Sequence, residues 1–336
     1  MKFKKLLFIV VLFLQNSSLF SQNQDPTSIY RKERDKINNL VHTKLKVSFN
    51  FDQKELNGEE WLTLKPHFYP TKQVVLDAKA MLIHTVSLDG KNLDFTYDGR
   101  HLSINFENEY TKDELYTIYI KYTARPEKVK EKGSAAISSA KGLYFINPTG
   151  LEPNKPTQIW TQGETEASSC WFPTIDSPNQ KTSQEIYITV PNRFKTLSNG
   201  SLISQEVKGA NRTDYCKFDQ KHAPYLFFMG IGEYKVIEDV YKNIPVNYYV
   251  EKKYASLARE IFGLTPEMIG FFENKLGVSY PWSKYSQIVA RDYVSVAMEN
   301  TTAVIHGESA YQLKGQLIDE NRQENTIAHE IFHHWF

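Results

Sequence analysis

Apolar and polar residues alternate over much of the first two thirds of this chain, and this period of two limits what the chain can fold into. Residues 45–51 place leucine, valine and two phenylalanines at every second position, and residues 102–106 repeat the pattern. Such alternation is typical of strands with one buried face. Asp89-Gly90 and Asp98-Gly99 are typical of tight turns between paired strands. We predict further strands at residues 61–64, 73–76, 82–88, 115–122, 143–146, 185–190 and 225–229.

These strands indicate one antiparallel β domain over residues 28–234. A short helix is predicted at residues 30–39, before the first strand. Aromatic residues make up 13% of the chain, which favours a β-rich body because aromatic side chains fit the half-buried surface of a sheet.

Residues 235–336 show a different pattern, in which strands and helices are mixed. One strand is predicted at residues 244–250 and a buried strand at residues 286–290. Thr265-Pro266-Glu267 predicts a helix start with Thr265 as the cap, and Gly277 predicts its end. The chain is therefore predicted to be multi-domain, with a β domain first and an α/β domain second.

The first 21 residues have the features of a signal peptide. Three lysines lie within the first five residues, residues 6–14 are apolar, and cleavage is predicted near Ser21-Gln22. The apolar run is too short for a stable membrane span. We therefore predict export to the periplasm or the medium.

The net charge limits which partners the chain can have, and the cysteine count limits its redox chemistry. The formal net charge is +1, which argues against nucleic acid as a partner. Cys170 and Cys216 are the only two cysteines. In an oxidising compartment they could form a disulfide, and they could equally remain two buried thiols.

Near its last residue the chain carries His329-Glu330-Ile-Phe-His333, the H-E-x-x-H pattern, in a run without proline or glycine over residues 317–336. We predict that this run is a helix, on which residues four apart share a face. The two imidazoles could then bind one Zn²⁺, and a catalytic zinc has three protein ligands and a water. Glu330 lies beside the pair and could take the proton of that water as it attacks a carbonyl.

Four further segments carry a resemblance to a known family. Val296-Ala297-Met298-Glu299-Asn300 resembles the G-A-M-E-N exopeptidase motif of the M1 family of zinc aminopeptidases. Thr161-Gln162-Gly163-Glu164 resembles its second amine-recognition segment. Residues 170–178 resemble its F-P-x-x-D-x-P stretch, and residues 280–285 its Y-P-x-x-K-Y segment. The motifs occur in the order of the family and cover about residues 30–336.

The resemblance implies a fold and an activity. The fold would be an antiparallel β-saddle domain followed by the start of a thermolysin-like α+β catalytic domain, and the activity would be removal of single residues from peptides with a free N-terminus. It implies that His329 and His333 bind zinc and that Glu330 is the general base.

The resemblance also implies how the substrate binds. Glu299, Gln162 and Glu164 would bind the α-amine of the peptide. The backbone at Ala297 and Met298 would align the peptide as an added strand.

The sequence departs from the family at two points. Val296 stands where the family has glycine, and it would strain the backbone or narrow the cleft if φ > 0 or a close approach is needed there. The third zinc ligand of the family, a glutamate about one helix further on, would lie beyond Phe336, as would the tyrosine that stabilises the transition state. We therefore expect this sequence to be the N-terminal part of a longer enzyme.

Two other functions fit the same residues. One is another hydrolase of the gluzincin group, such as an endopeptidase or an epoxide hydrolase. The other is a peptide-binding protein without catalysis, which the missing third ligand and Val296 would favour.

Several polar residues near the motifs have competing interpretations. Glu166 is a rival to Glu164 because it lies only two residues away. We predict that Arg291 and Asp292 form a structural pair. His306 and Glu308 are predicted to form a charged rim, and His334 is predicted to pack or to support the site rather than to bind metal.

Overall fold

The computed structural model describes residues 34–318 and 320–336. The predicted signal peptide over residues 1–21 lies outside the described residues, as do the first part of the helix predicted at residues 30–39 and Asp319.

Strands dominate the described chain, and three α-helices occur in its last third. The strands are β1 Asn38–Asn50, β2 Glu55–Pro66, β3 Thr71–Asp77, β4 Met81–Leu88, β5 Lys91–Asn92, β6 Phe95–Tyr97, β7 His101–Tyr110, β8 Tyr116–Ala124, β9 Leu143–Ile146, β10 Gln158–Thr161, β11 Thr182–Pro191, β12 Lys195–Ser198, β13 Ser201–Lys208, β14 Asn211–His222, β15 Met229–Gly232, β16 Tyr234–Tyr241, β17 Ile244–Glu251, β18 Tyr285–Ala290, β19 Ala297–Met298 and β20 Ala303–Gly307. The helices are α1 Ala258–Phe262, α2 Thr265–Leu276 and α3 Glu324–Phe332. This order confirms the predicted β-rich part followed by an α/β part.

The largest sheet has eight strands in the order β13-β14-β11-β1-β2-β8-β4-β5. Strand β1 lies inside this sheet, where it pairs antiparallel with β2 and parallel with β11, with His42 opposite Ser183. The prediction of a purely antiparallel domain is therefore wrong at this pair. Alternation along single strands could not reveal it, because the partner strand lies about 140 residues away in sequence and the pattern of one strand does not name its neighbour.

Two smaller sheets complete the β-rich part, and a five-stranded sheet forms the first part of the α/β region. The smaller sheets run β12-β15-β10-β9 and β3-β7-β6. The five-stranded sheet runs β16-β17-β18-β20-β19, with β17, β18 and β20 parallel and β19 antiparallel at the edge. The edge position of β19 leaves one side of its backbone without a strand partner in this sheet.

Two local predictions in the β-rich part are wrong. Residues 38 and 39, predicted as helix, begin β1, because they pair with β2 and because Gln180 accepts from the backbone N–H of Leu40 at 3.0 Å. Residues 225–229 were predicted as a strand, but Pro224–Leu226 forms a 3-10 turn and β15 begins only at Met229. Proline fixes φ and lacks the N–H that a strand ladder needs, which favours the turn.

The helix predicted over residues 317–336 is shorter in the structure. Helix α3 begins at Glu324, and a 3-10 turn follows it at His333–Trp335. The amide of Asn321 sets this start: its Oδ1 accepts from the backbone N–H of Gln323 at 3.1 Å, and its Nδ2 donates to the carbonyl of Ile261 at 2.6 Å. A side chain that bonds the local backbone in this way competes with helix formation.

Helix α2 ends where it was predicted to end, but its first residue has another role. Gly277 adopts φ 67°, the left-handed conformation that glycine accommodates at a helix end. Thr265 is the first helical residue, and its hydroxyl donates to the carbonyl of Phe262 at 2.6 Å instead of capping the helix.

Both cysteines are free buried thiols, which resolves the alternatives left open by the sequence. Burial raises the pKa of the Cys170 thiol to about 12 and that of Cys216 to about 11. No helix among the described residues is long and apolar enough to cross a membrane.

A buried carboxyl group lies in the core of the eight-stranded sheet. Glu60 on β2 is fully buried, and its two oxygens have no hydrogen-bond partner among the described residues. Tyr122 on β8 is also buried there with a hydroxyl that lacks a partner, and its ring lies over Gly58. Burial raises the pKa of Glu60 well above its ordinary value of 4.5, because the charged form loses its hydration.

This burial predicts a specific pH dependence of stability. A carboxyl whose pKa is raised in the folded state contributes stability below about pH 4.5 that is lost as pH rises through the folded pKa. We expect Glu60→Gln to gain more than about 1 kcal/mol over the parent between pH 4.5 and pH 8, measured by urea unfolding. Glu59→Gln, on the opposite face of β2, is the control and should shift stability by less than about 0.5 kcal/mol. A gain that does not depend on pH would contradict the prediction.

Candidate active site

The H-E-x-x-H residues lie at the end of α3 and in the turn that follows. His329 and Glu330 are on the helix, and His333 begins the 3-10 turn. The backbone still keeps the two histidines on one face: their Nε2 atoms are 3.0 Å apart, and their ring centroids are 4.7 Å apart. Both rings are exposed. Two imidazole nitrogens that face each other at this distance converge on one point, where they can share a proton or a cation.

Glu330 follows His329 on the helix and, unlike the two histidines, is buried. The residue is 5% exposed, and its Oε2 has no hydrogen-bond partner among the described residues. The pKa of Glu330 is raised to about 8, chiefly by burial and in smaller part by the carboxylates of Glu299 and Glu164. A carboxylate in this setting has a high affinity for a proton, as a general base requires.

Glu299 and Glu164 lie beside the histidines, although they come from distant segments. His333 Nδ1 and Glu299 Oε1 are 4.0 Å apart. Burial raises the pKa of Glu164, and the carboxylate of Glu299 raises it further, whereas His333 lowers it. Glu166, the rival to Glu164, is exposed, and its backbone carbonyl accepts from Lys79. The structure therefore brings Glu164, and not Glu166, into interaction with Glu299 and Glu330.

Gln162 is held by a tyrosine that the sequence analysis missed. Its Oε1 accepts from the hydroxyl of Tyr293 at 2.6 Å, and its backbone N–H donates to Gly142 at 2.9 Å. Its Nε2 is buried without a partner among the described residues, which leaves the two N–H donors of this amide group unused. Burial raises the pKa of Tyr293 well above its usual range, with further contributions from Glu330, Glu299 and Glu164. No motif in the sequence marks Tyr293, because its role depends on the fold.

The residues of the G-A-M-E-N-like segment form the edge strand β19. Ala297 pairs with His306 and Met298 with Ile305, both on β20. Met298 is buried, and Ala297 is half-buried. Val296 just before them is 60% exposed and is not among the residues with positive φ, and its carbonyl accepts from Gly307 at 2.9 Å. The valine therefore sits at this position without the backbone strain that the sequence analysis considered.

The interpretations of two other histidines had different outcomes. His306, predicted at a charged rim, is fully buried; its Nε2 lies 2.9 Å from Gln287 Oε1, and burial lowers its pKa to about 3. That prediction is wrong because β20 lies inside the five-stranded sheet. His334 is buried, as predicted for a packing residue, with its Nδ1 3.2 Å from the hydroxyl of Tyr280.

Arg291 and Asp292 do not pair with each other, which contradicts the prediction. The guanidinium of Arg291 donates to both oxygens of Glu251, at 2.5 and 2.9 Å, and to Glu308 at 3.1 Å. Asp292 accepts from Lys155 at 2.7 Å. Neighbours in sequence at a strand end point in different directions, so each finds a partner elsewhere.

Comparison with protein families matches residues 39–225 to the peptidase M1 N-terminal domain and residues 261–336 to the peptidase family M1 domain. The first match alone covers more than half of the chain. The chain belongs to the peptidase M1 family.

Relatives of this M1 chain include several aminopeptidases. It is 21% identical to aminopeptidase 2 of Candida albicans over 96% of this chain and 35% of the relative. It is 25% identical to a probable aminopeptidase 1 of Saccharolobus solfataricus over 87% of this chain and 35% of the relative. It is 29% identical to aminopeptidase N of Rattus norvegicus over 54% of this chain and 20% of the relative. The chain spans about a third of the length of the first two.

Within the part of the M1 chain that the structure describes, no group of three or more His, Cys, Asp and Glu residues is placed to hold a metal ion. His329 and His333 supply two nitrogen donors that converge, and these two fit as part of a ligand set. The charged neighbours of this pair are the carboxylates of Glu299, Glu164 and Glu330.

Gly163 allows the segment of residues 161–164 to lie close to the backbone of Tyr225. A Cβ at Gly163 would lie 2.2 Å from the carbonyl oxygen of Tyr225 and 2.5 Å from the hydroxyl of Ser168. These distances are well below ordinary contact, and a backbone carbonyl cannot rotate away, so the segment or residue 225 must move.

We expect Gly163→Ala to destabilise the M1 chain by about 1–3 kcal/mol, because the added methyl group overpacks a site bounded by backbone. Urea unfolding measures the change. Gly315→Ala is the matched control, since nothing lies within 4 Å of a Cβ there, and it should change stability by less than about 0.5 kcal/mol. Equal effects of the two substitutions would show that the close approach at Gly163 is not needed.

Proposed function

We propose that the whole protein is a zinc-dependent aminopeptidase that removes single residues from peptides with a free N-terminus. The observation that carries the proposal is the approach of Glu299 to within 4.0 Å of His333, one of two histidines whose Nε2 atoms converge. The proposed ammonium site at Glu299 would therefore lie next to the proposed hydrolytic site at His329 and His333, as removal of a single residue requires. Membership of the M1 family and the aminopeptidase names of the relatives support the same activity.

The carboxylates of Glu299 and Glu164 would bind the α-ammonium of the peptide. They interact with each other unfavourably in the structure, since Glu299 raises the pKa of Glu164. A cation placed between two like charges relieves that repulsion and forms charge-assisted hydrogen bonds with both. Gln162, with a buried Nε2 that lacks a partner among the described residues, would add a hydrogen bond to the peptide backbone. Recognition of the terminal ammonium fixes which peptide bond reaches the histidines.

The edge strand β19 would align the peptide. Its free edge at Ala297 and Met298 offers backbone groups to an extended chain, which is the geometry of strand addition.

His329 and His333 would hold the zinc ion, with a third protein ligand from a part of the whole protein outside this chain. When bound, zinc would supply Lewis acidity toward the scissile carbonyl and toward water. Glu330 would accept a proton from the attacking water and donate it to the leaving amine nitrogen. Its buried position beside two other carboxylates favours proton uptake, which suits it to carry a proton between the two steps.

Export of the protein remains our proposal from sequence, based on the signal-peptide features of residues 1–21. The substrates would then be peptides present in the periplasm or the medium.

Metal content tests the roles of the two histidines. We expect the purified whole protein to contain about one zinc ion per chain, and His329→Ala or His333→Ala to lose it, because each removes one converging nitrogen. Glu330→Gln should keep the zinc and lose turnover. His67→Ala, an exposed histidine on another part of the surface, is the control and should keep both. Full zinc content in His333→Ala would show that the pair does not bind the metal.

Substrate charge tests the ammonium site. We expect Glu299→Ala to lower kcat/KM for aminoacyl arylamides by about 30-fold or more, because a desolvated charge pair is lost. Glu166→Ala should change kcat/KM by less than about twofold, since that carboxylate is exposed and does not contribute to the raised pKa of Glu164 or Glu330. N-acetylated peptides should not be cleaved by the parent. Rapid cleavage of blocked peptides would identify an endopeptidase instead.

A further inference from the structure

A cavity of about 460 Å³ extends from the two candidate site residues Glu299 and His333 toward the β-rich part. Its size is within the range of about 300–1,000 Å³ that is usual for small-ligand sites. Besides Glu299 and His333, its lining includes Lys181, Lys221 and His222. The cavity is therefore continuous with the proposed ammonium site.

The charges that line this cavity are divided between two places. Glu299, next to His333, is the one acidic side chain among the residues that line the cavity. Lys181 and Lys221 are its two lysines, and they come from segments of the β-rich part that flank β11 and end β14. His222 adds no charge, because burial lowers its pKa to about 3 and keeps the ring neutral. The cavity is thus lined by one acidic side chain and two ammonium groups that come from different parts of the fold.

Both lysines are exposed, and neither ammonium forms a hydrogen bond or an ion pair within residues 34–318 and 320–336. Other lysines on the same surface behave differently: Lys217 binds Asp219 at 2.8 Å and Lys36 binds the carbonyl of Asn179 at 2.7 Å. Two unpaired ammonium groups at one cavity favour an anionic ligand, because like charges that share a site are stabilised by a counter-charge between them.

We propose that Lys181 and Lys221 form a carboxylate-recognition site, so that the whole protein prefers peptides with a negative charge close to their free amino terminus. The inference rests on the proposed function in one respect: the ammonium of the same peptide is placed at Glu299. A ligand that carries both an ammonium and a carboxylate matches the two kinds of charge that line the cavity. The carboxylate can be an acidic side chain at the first or second residue, or the C-terminus of a dipeptide.

Charge-matched substrates test the proposal on the whole protein. Glutamyl and glutaminyl arylamides differ in charge and hardly in shape, and Leu-Leu and Leu-Leu-amide differ in the same way at the C-terminus. We expect the parent to favour the charged member of at least one pair by about three- to tenfold in kcat/KM. Lys181→Gln/Lys221→Gln should remove that preference, and 0.5 M salt should weaken it. Lys208→Gln, at an exposed position outside the cavity, should leave it unchanged.

A binding measurement separates this proposal from the peptidase activity. Calorimetry with the Glu330→Gln variant compares the Kd values of Glu-Leu with Gln-Leu, and of Leu-Leu with Leu-Leu-amide. If charged dipeptides bind more tightly and the two lysine substitutions abolish the difference, the carboxylate site stands even where the parent turns over no substrate. Normal turnover with preferences that the double substitution leaves within about twofold would overturn the carboxylate site and leave the peptidase proposal intact. Absence of both turnover and discrimination would overturn both.

Discussion

Negative charge gathered at one partly buried position is the constraint on which the site depends. Glu164, Glu299 and Glu330 come from three separate segments, and the first two raise the pKa of the third. Bringing carboxylates together costs free energy unless a cation joins them. The fold holds them in place through its own packing, so a ligand with positive charge gains the relief of that repulsion when it binds. The same electrostatic logic applies to a peptide ammonium and to a metal ion beside it.

The arrangement is held by contacts between the β-rich part and the α/β part. Asn199 donates to the carbonyl of Thr301 at 2.7 Å, and the backbone N–H of Gly200 donates to the hydroxyl of Thr302 at 2.8 Å. These bonds fix the turn that follows Glu299, in which Thr302 adopts a positive φ of 67°. Trp160, two residues before Gln162, donates to the carbonyl of Arg291 at 3.1 Å. The carboxylates are therefore positioned by residues from both parts of the chain.

Part of the fold and of the candidate site was predictable from the sequence, and particular residues show which part. Local patterns were sufficient for the strand at residues 143–146 and for the helix end at Gly277, because both depend on neighbours in sequence. The motifs pointed to His329, His333, Glu299 and Glu164, and the structure places these four residues close together. Features that depend on distant contacts were not predictable: the parallel pairing of β1 with β11, the burial of His306 and the hydrogen bond from Tyr293 to Gln162. Each of these depends on a partner far along the chain. The alternation of apolar residues and the intrinsic strand propensity contain no information about such a partner.

The parallel pairing of β1 with β11 has a consequence for the order of folding. Strand β1 lies in the interior of its sheet, and one of its two neighbours, β11, comes about 140 residues later in sequence, as the pairing of His42 with Ser183 shows. During synthesis at about 5–20 residues per second, β1 can pair with β2 almost at once and must wait about 7–28 seconds for β11 to emerge. Its other edge is open to other chains throughout that interval. Pairing over so long a sequence separation raises the contact order of the sheet, which favours slow folding.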